Sequence, residues 1–276
     1  MSKISVSIII PAYNAASKIV QALTSIKAQT FTDYEVIIVN DASTDNTEQT
    51  ARDFLEKANI NFQIINHDKN LGGSAARNTG IKAAGGGGYI CFVDADDILD
   101  ANFLSVLHDK AEKENADIVL CGYKIYNEQE NNYQARYIKL STKKIRSARD
   151  YLPAWFIGKI PSNIWSCIYR KKFIEDNKLS FHEGCHFGED EEFMAKTLCA
   201  SQRTVFVNEL LYVYVIHSIQ ENMFKPKRAN HDWLNSLLPP RLRAARYILR
   251  HSDNEREKSY AKSFYLVWAL VRQFTV

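Results

Sequence analysis

Two common nucleotide-binding signatures are missing from this chain of 276 residues. It has no Walker loop, and no G-x-G-x-x-G follows its first strand-like run, so neither the P-loop nor the dinucleotide-binding fingerprint applies. No C-x-x-C pair occurs among Cys91, Cys121, Cys167, Cys185 and Cys199, and the number is odd. That excludes the usual zinc spacings and a disulfide framework, and reduced thiols in a cytosolic protein are expected. No run approaches the roughly 20 apolar residues needed to span a bilayer. The apolar N-terminal run is too short for a signal peptide and lacks a small-residue cleavage site. A strong charge of either sign is also absent. Lys and Arg number 35 against 32 Asp and Glu, a net charge of +3 that makes no case for nucleic acid.

The chain does contain hydrophobic residues in abundance, 46%, with 24% charged. A chain of this length and composition buries one sizeable core. Its first half alternates two periods. Apolar runs at Ser5–Ile10, Tyr34–Val39, Phe62–Ile65, Tyr89–Val93 and Asp117–Tyr123 read as buried strands. Between them lie helical patterns, one carrying Ile19, Leu23 and Ile26, another Phe103, Leu104, Leu107 and Ala111. Asn14, Ser43 or Thr44, and Asp100 are the expected helix caps. Strand–helix alternation of this kind predicts an α/β fold, a mostly parallel Rossmann-like sheet with helices on both faces. Ligands of such sheets bind beyond the carboxyl ends of the strands. Pro11-Ala-Tyr-Asn14, Asn40-Asp41 and Asp94-Ala-Asp96 all fall at those ends.

The alternation weakens near residue 126. Glu128–Gln134 reads as a loop, 147–200 as mostly helical with a polar break at His182–Gly188, and Thr204–Val207 and Leu211–Val215 as two short strands. Residues 230–274 read as two amphipathic helices split by His251-Ser-Asp-Asn. The organisation expected is 1–126 for a nucleotide-binding half, 127–218 for an acceptor and catalytic-base half, and 219–276 for a helical extension.

Acidic clusters carry the chemistry. Asp94, Asp96 and Asp97 end an apolar strand and repel one another unless a cation compensates. A hard divalent ion shared with a diphosphate does that, and the other reading is a solvated turn. Asp41 either accepts from a ribose or base, or satisfies backbone N–H groups in a turn. Gly72-Gly73 allows close backbone approach before a helix start with free N–H groups. Gly188-Glu-Asp-Glu-Glu192 is a favourable helix N-terminus, and Asp190 is also placed to serve as a general base. His182 and His186 are either surface residues or metal ligands. Trp165 either stacks on a sugar or joins the core.

Taken together, Val6–Asn14, Val39–Asn46, Ser74–Gly80 and Phe92–Asp97 resemble the family 2 glycosyltransferases of GT-A fold. Trp165, Tyr169-Arg170, Phe181, Gly188–Phe193 and Asn208–Tyr214 resemble the acceptor side of the bacterial polysaccharide and lipopolysaccharide members. The likeness spans about residues 4–218. It implies inverting transfer from a nucleotide diphosphate sugar, usually UDP-linked, to an acceptor hydroxyl of a glycan or lipid-linked glycan, with Mn²⁺ or Mg²⁺. By the same resemblance Pro11, Ala12 and Tyr13 line the nucleobase pocket, with Asn14 and Ala95 in the donor set. Asp41 holds uracil or ribose, Arg77 lies near the nucleotide and Asp94 faces ribose or sugar. Asp96 binds the metal, and Asp190 is the base with Glu189 beside it. Trp165 and Glu189 meet the acceptor.

Two departures stand out. Relatives often have Asp-Asp or Asp-Glu where this chain has Asn40-Asp41. They also carry cations where it has Val215 and Gly85–Gly88, so a cation for the diphosphate is expected from His217, Lys225 or Lys227. The rival readings are a sugar nucleotidyltransferase and a non-catalytic scaffold. The first lacks its basic glycine loop after the first strand, and the intact acids oppose the second. Residues 225–250 hold Lys225, Lys227, Arg228, Arg241, Arg243, Arg246 and Arg250 against Asp232 alone. They read either as a peripheral contact with anionic lipid at the inner membrane face or as a solvated face or homodimer contact.

Overall fold

The computed structural model describes residues 4–85, 88–136, 163–185, 187–217, 231–252, 254, 255 and 257–263. Four strands form the expected parallel core: β1 (Val6–Ala12), β2 (Tyr34–Asn40), β3 (Phe62–Asn66) and β4 (Tyr89–Phe92), in the order β3-β2-β1-β4. Ile8, Ile9 and Ile10 are all fully buried. Successive strand residues point to opposite faces, so both faces of β1 are covered. Helices α1 (Ile19–Lys27), α2 (Thr47–Ala58), α3 (Gly73–Ala83) and α4 (Phe103–Glu114) follow these strands. Gly80 of α3 lies so close to β1 that a Cβ there would sit 2.3 Å from Ile9 Cγ2.

From β1 the chain steps outward to β2 and β3, then returns to place β4 on the other side of β1. The order therefore reverses between β1 and β4. The loops leaving these two strands diverge and open a crevice, the switch point at which α/β sheets bind ligands.

Beyond β4 the sheet becomes mixed. It continues through β8 (Cys167–Arg170), β6 (Ile118–Asn127), β9 (Thr204–Ile216) and β5 (Ile98–Leu99). Strand β8 runs antiparallel between β4 and β6, in a segment expected to be helical. Tyr169 and Ile168 are buried there, and pairing on both edges outweighs local preference. The expected loop at Glu128–Gln134 instead leads into β7 (Asn132–Arg136), which forms a hairpin with β6. The two short strands expected after residue 203 are one strand, β9, whose polar middle is taken up by register shifts opposite Gly122. Because β6 crosses residue 126 and β8 inserts beside β4, strands β7, β8 and β9 complete the first sheet, and β8 and β9 share its core.

Three further helices are α5 (Lys171–Asp176), α6 (Glu189–Ala200) and α7 (His231–His251). Helix α7 packs on α6 with Ala244, Ala245 and Ile248 buried. Residues 257–263 are also helical. No described helix is long and apolar enough to cross a membrane.

Candidate active site

The loop after β1 is stapled to the loop after β2. Asn14, in the left-handed region at φ 49°, accepts from the Thr44 N–H at 2.8 Å, and its own N–H donates to Ser43 Oγ at 3.0 Å. The Ala15 N–H donates to Thr47 Oγ1 at 2.7 Å. Neither Asn14, Ser43, Thr44 nor Asp100 caps a helix through its side chain. The two loops use these polar groups to hold one another, and Asp100 Oδ1 accepts from the Asn102 N–H at 3.0 Å.

Asp41 is 4% exposed and its carboxylate is occupied within the chain. It accepts from the Leu71 N–H at 2.9 Å and the Gly72 N–H at 2.7 Å, and His67 Nδ1 lies 2.7 Å away. Nε2 of His67 lies 3.0 Å from Thr79 Oγ1 on α3. Gly72, at φ 86°, turns the backbone onto Asp41 and into α3. The turn reading of Asp41 therefore describes its contacts, while the residue still lines the crevice. His67 was not singled out from sequence, since a lone His after a strand carries no motif.

The crevice has a volume of about 300 Å³ and lies between Pro11–Ala15 and Asp94–Asp96, with Asp41, Gly73 and Arg77 in its wall. Tyr13 stands at its edge, 50% exposed. The three strand-end acids divide their work. Asp97 is fully buried and accepts from Tyr212 Oη at 2.7 Å and the Val215 N–H at 2.9 Å, tying β5 to β9. Asp94 accepts from Arg77 Nη2 at 2.9 Å. Asp96 lies 3.6 Å from Lys18 Nζ and 3.4 Å from His217 Nε2. Burial and the neighbouring Asp94 push its carboxyl above the usual range. Of the three residues expected near the diphosphate, His217 lies beside Asp96 and Lys225 and Lys227 lie outside the described residues; Lys18 is an addition. Its only sequence signal was a charge one residue before an apolar helix.

Arg77 is buried at the centre. Besides Asp94 it meets Glu189 at 3.6 Å and Asp190 at 3.7 Å through Nη1, and it packs over Phe181. Burial opposes its charge, but Asp190, Asp94 and Glu189 together outweigh that and hold the guanidinium protonated. Asp190 and Glu189 open α6 after Gly188, whose φ of 75° sets the turn. Burial pushes the Asp190 carboxyl up to about 7, against the pull of Arg77. Its Oδ1 is buried without a hydrogen-bond partner.

Trp165 is 8% exposed and stacks on Tyr212 and Tyr214 with centroids 4.4 and 5.7 Å away. The core reading accounts for it, and little of the ring is left for a sugar. His182 is exposed, and His186 lies outside the described residues. Among the described residues no three His, Cys, Asp or Glu side chains form a metal cluster. The basic stretch is only partly a free face. Arg241 binds Glu191 and Arg243 binds Glu192, whereas Lys225, Lys227 and Arg228 lie outside the described residues.

The family described as Glycosyl transferase family 2 matches residues 7–177. The match includes Asp41, Arg77, Asp94 and Asp96 and stops short of Asp190. The chain is 32% identical over 236 residues to the uncharacterized glycosyltransferase EpsJ of Bacillus subtilis, covering 82% of this chain and 66% of that protein. It is 28% identical over 221 residues to the poly(ribitol-phosphate) beta-N-acetylglucosaminyltransferase TarS of Staphylococcus aureus, covering 79% of this chain and 36% of TarS. The crystal structure of TarS 1-349 in complex with UDP-GlcNAc superposes with a TM-score of 0.76 at 22% identity, over 94% of this chain and 71% of that one. The mannosyltransferase PcManGT of Pyrobaculum calidifontis, in complex with GDP-Man and Mn²⁺, superposes with a TM-score of 0.62 at 18% identity, over 94% and 68%.

Proposed function

The chain belongs to the family 2 glycosyltransferases, and from that premise we propose that it moves a sugar from a UDP-linked donor to an acceptor hydroxyl of a bacterial surface glycan, with inversion and with Asp190 as general base. One observation carries this reading. Asp94, Asp96 and Arg77 line the switch-point crevice, Asp190 of α6 meets the same Arg77 at 3.7 Å, and the buried Oδ1 of Asp190 has no hydrogen-bond partner.

In this reading the Pro11–Tyr13 loop and the Asp41 wall hold the nucleoside. Lys18 and His217 lie beside Asp96 and meet the diphosphate. The donor set suits a divalent ion that is only partly protein-bound. Asp96 would supply a carboxylate oxygen, the hard ligand type such an ion prefers. Mn²⁺ or Mg²⁺ held there supplies charge stabilisation for the leaving diphosphate. PcManGT was solved in complex with GDP-Man and Mn²⁺ and TarS in complex with UDP-GlcNAc, which supports a nucleotide diphosphate sugar as donor, with the UDP link resting on TarS.

An acceptor hydroxyl is a poor nucleophile near neutral pH. A carboxylate that takes its proton as the new bond forms contributes about 10²–10⁴-fold. Asp190, titrating at about 7, is matched to that task. Attack on the anomeric carbon opposite the diphosphate inverts the centre, so no second catalytic carboxylate is needed. The names of two relatives, the poly(ribitol-phosphate) transferase and the minor teichoic acid biosynthesis protein GgaB, support a surface-glycan acceptor.

The deciding experiment measures UDP, GDP or dTDP release from a panel of donor sugars with Mn²⁺, Mg²⁺ or EDTA, beside Asp96→Ala. Metal-dependent UDP release from one donor, lost in the variant, is the expected result. Release that ignores EDTA and the variant would sink the metal assignment. Folded protein that neither binds nor turns over any donor would return the scaffold reading.

A further inference from the structure

We propose that the C-terminal helix α7 is a working part of the transfer site: Arg241 and Arg243 pin the first turn of α6 and neutralise Glu191 and Glu192, and so set the position and basicity of Asp190. The inference rests on Asp190 being the base, as proposed above.

The contacts are specific. Arg241 grips Glu191 with both ends of its fork, Nε to Oε2 at 2.5 Å and Nη2 to Oε1 at 2.9 Å. Arg243 donates from Nε to Glu192 Oε2 at 2.7 Å and from Nη2 to Cys185 Sγ at 3.3 Å. Glu192 is 1% exposed, and Lys196 holds its other oxygen at 2.5 Å. Beneath these pairs Ala244, Ala245 and Ile248 bury the seam with α6. Bidentate Arg–carboxylate pairs fix direction as well as distance. The turn they fix is the one that carries Asp190, and Arg243 also ties in the loop before it.

Charge gives the second half of the argument. Glu189, Asp190, Glu191 and Glu192 crowd a single helical turn. A helix N-terminus offers only about half a positive charge against four carboxylates. The groups that bear on Asp190 are Arg77 from α3, Glu189 and Glu191 from its own helix, Asp94 from the end of β4, Tyr169 from β8 and Tyr214 from β9. Among these Arg77 alone is cationic, and it already serves Asp94 and Glu189. Arg241 acts through Glu191. While the pair stands, Glu191 opposes ionisation of Asp190 weakly. Without it, Glu191 presents an uncompensated charge one residue away. Arg241 and Arg243 are therefore positioning residues, and their charges point inward rather than toward a lipid surface.

The test is a carboxyl ¹³C titration of Asp190 in the full chain, for the native protein, Arg241→Gln and Arg241→Gln/Glu191→Gln. Asp190 should titrate near 7 in the native protein. It should move up by as much as about one pH unit in Arg241→Gln, an about tenfold loss of base at pH 6. The double variant should return toward the native value although the ion pair is still absent. UDP release from UDP-GlcNAc with Mn²⁺ should follow the same shift, with kcat falling several-fold below pH 7, donor KM unchanged and Arg241→Lys restoring most of the rate. An Asp190 titration that does not move in Arg241→Gln overturns the inference. So does a loss of rate that is equal at every pH and tracks a lowered Tm, because a merely structural brace behaves that way. Asp190→Asn separates the two readings. If it keeps native turnover the premise itself fails, whereas an inactive Asp190→Asn with an unmoved titration removes only the role of α7.

Discussion

The rim between β1 and β2 lines the crevice, the first turn of α6 touches its wall through Arg77, and the two treat their aspartates in opposite ways. At the rim, Asp41 accepts two backbone N–H groups and meets His67, and the nearby Asp97 accepts from Tyr212 and Val215. On α6, Asp190 has a buried oxygen with no hydrogen-bond partner and a carboxyl raised to about 7. A saturated carboxylate is a fixed strut, since every lone pair it spends on the chain orders a loop. An unsatisfied one is costly to keep, and it is available to a substrate proton. In the proposed function the rim shapes the donor pocket and the α6 turn carries the base.

The largest expected effect breaks the reactive side of this contrast. Asp190→Asn should lower transfer about 10²–10⁴-fold while donor affinity changes little. The same variant should be more stable than the native protein at pH 8. The folded-state pKa of Asp190 lies above its unfolded value, so the native chain holds a proton that the unfolded chain releases from about pH 4 upward. Stability is therefore lost as pH rises from there to about 7, and the amide removes that loss. Thermal unfolding at pH 5 and pH 8 checks the sign, and an equal or lower midpoint at pH 8 would contradict it. In the native enzyme kcat/KM should climb with pH through about 7, because only the ionised carboxylate accepts the acceptor's proton.

Arg77→Gln strikes both regions at once. It leaves Asp94, Glu189 and Asp190 without their shared partner. Breaking a buried ion pair from one side costs about 3–5 kcal/mol, and urea unfolding reads it. Asp41→Asn should cost less, about 1–3 kcal/mol, since an amide cannot accept from both Leu71 and Gly72 through two oxygens. Donor KM should rise more than kcat falls, which separates a shaping residue from a reacting one. Gly80→Ala should cost a similar amount of stability, about 1–3 kcal/mol from overpacking against Ile9, and has the smallest effect on function, with little change in activity per folded molecule.

Much of the first half was legible because its strands are local apolar runs between helical patterns. The acids at Asp94, Asp96 and Asp190 were legible because clustered charge beside apolar sequence is unusual. Strand β8 was not, since Cys167–Arg170 becomes a strand only by pairing with β4 and β6 on its two edges. Lys18 and His67 gave no signal, because a single Lys or His has no period and no spacing. The sequence leaves the basic stretch open between a lipid contact and a solvated face or dimer contact, and only the docking of α7 on α6 gives Arg241 and Arg243 partners more than 40 residues away in the chain.

By itself the sequence determined the α/β alternation, the strand ends at which acids gather and the family to which the chain belongs. These depend on neighbours along the chain: hydrophobic period, turn residues and ordered motifs. Only the tertiary structure decided which aspartates are spent on the scaffold and which one keeps an oxygen without a hydrogen-bond partner. It also brought Lys18, His217, Arg241 and Arg243 to the site. The physical reason is that hydrogen-bond satisfaction, burial and charge pairing are properties of groups brought together through space, and distance along the chain does not carry them.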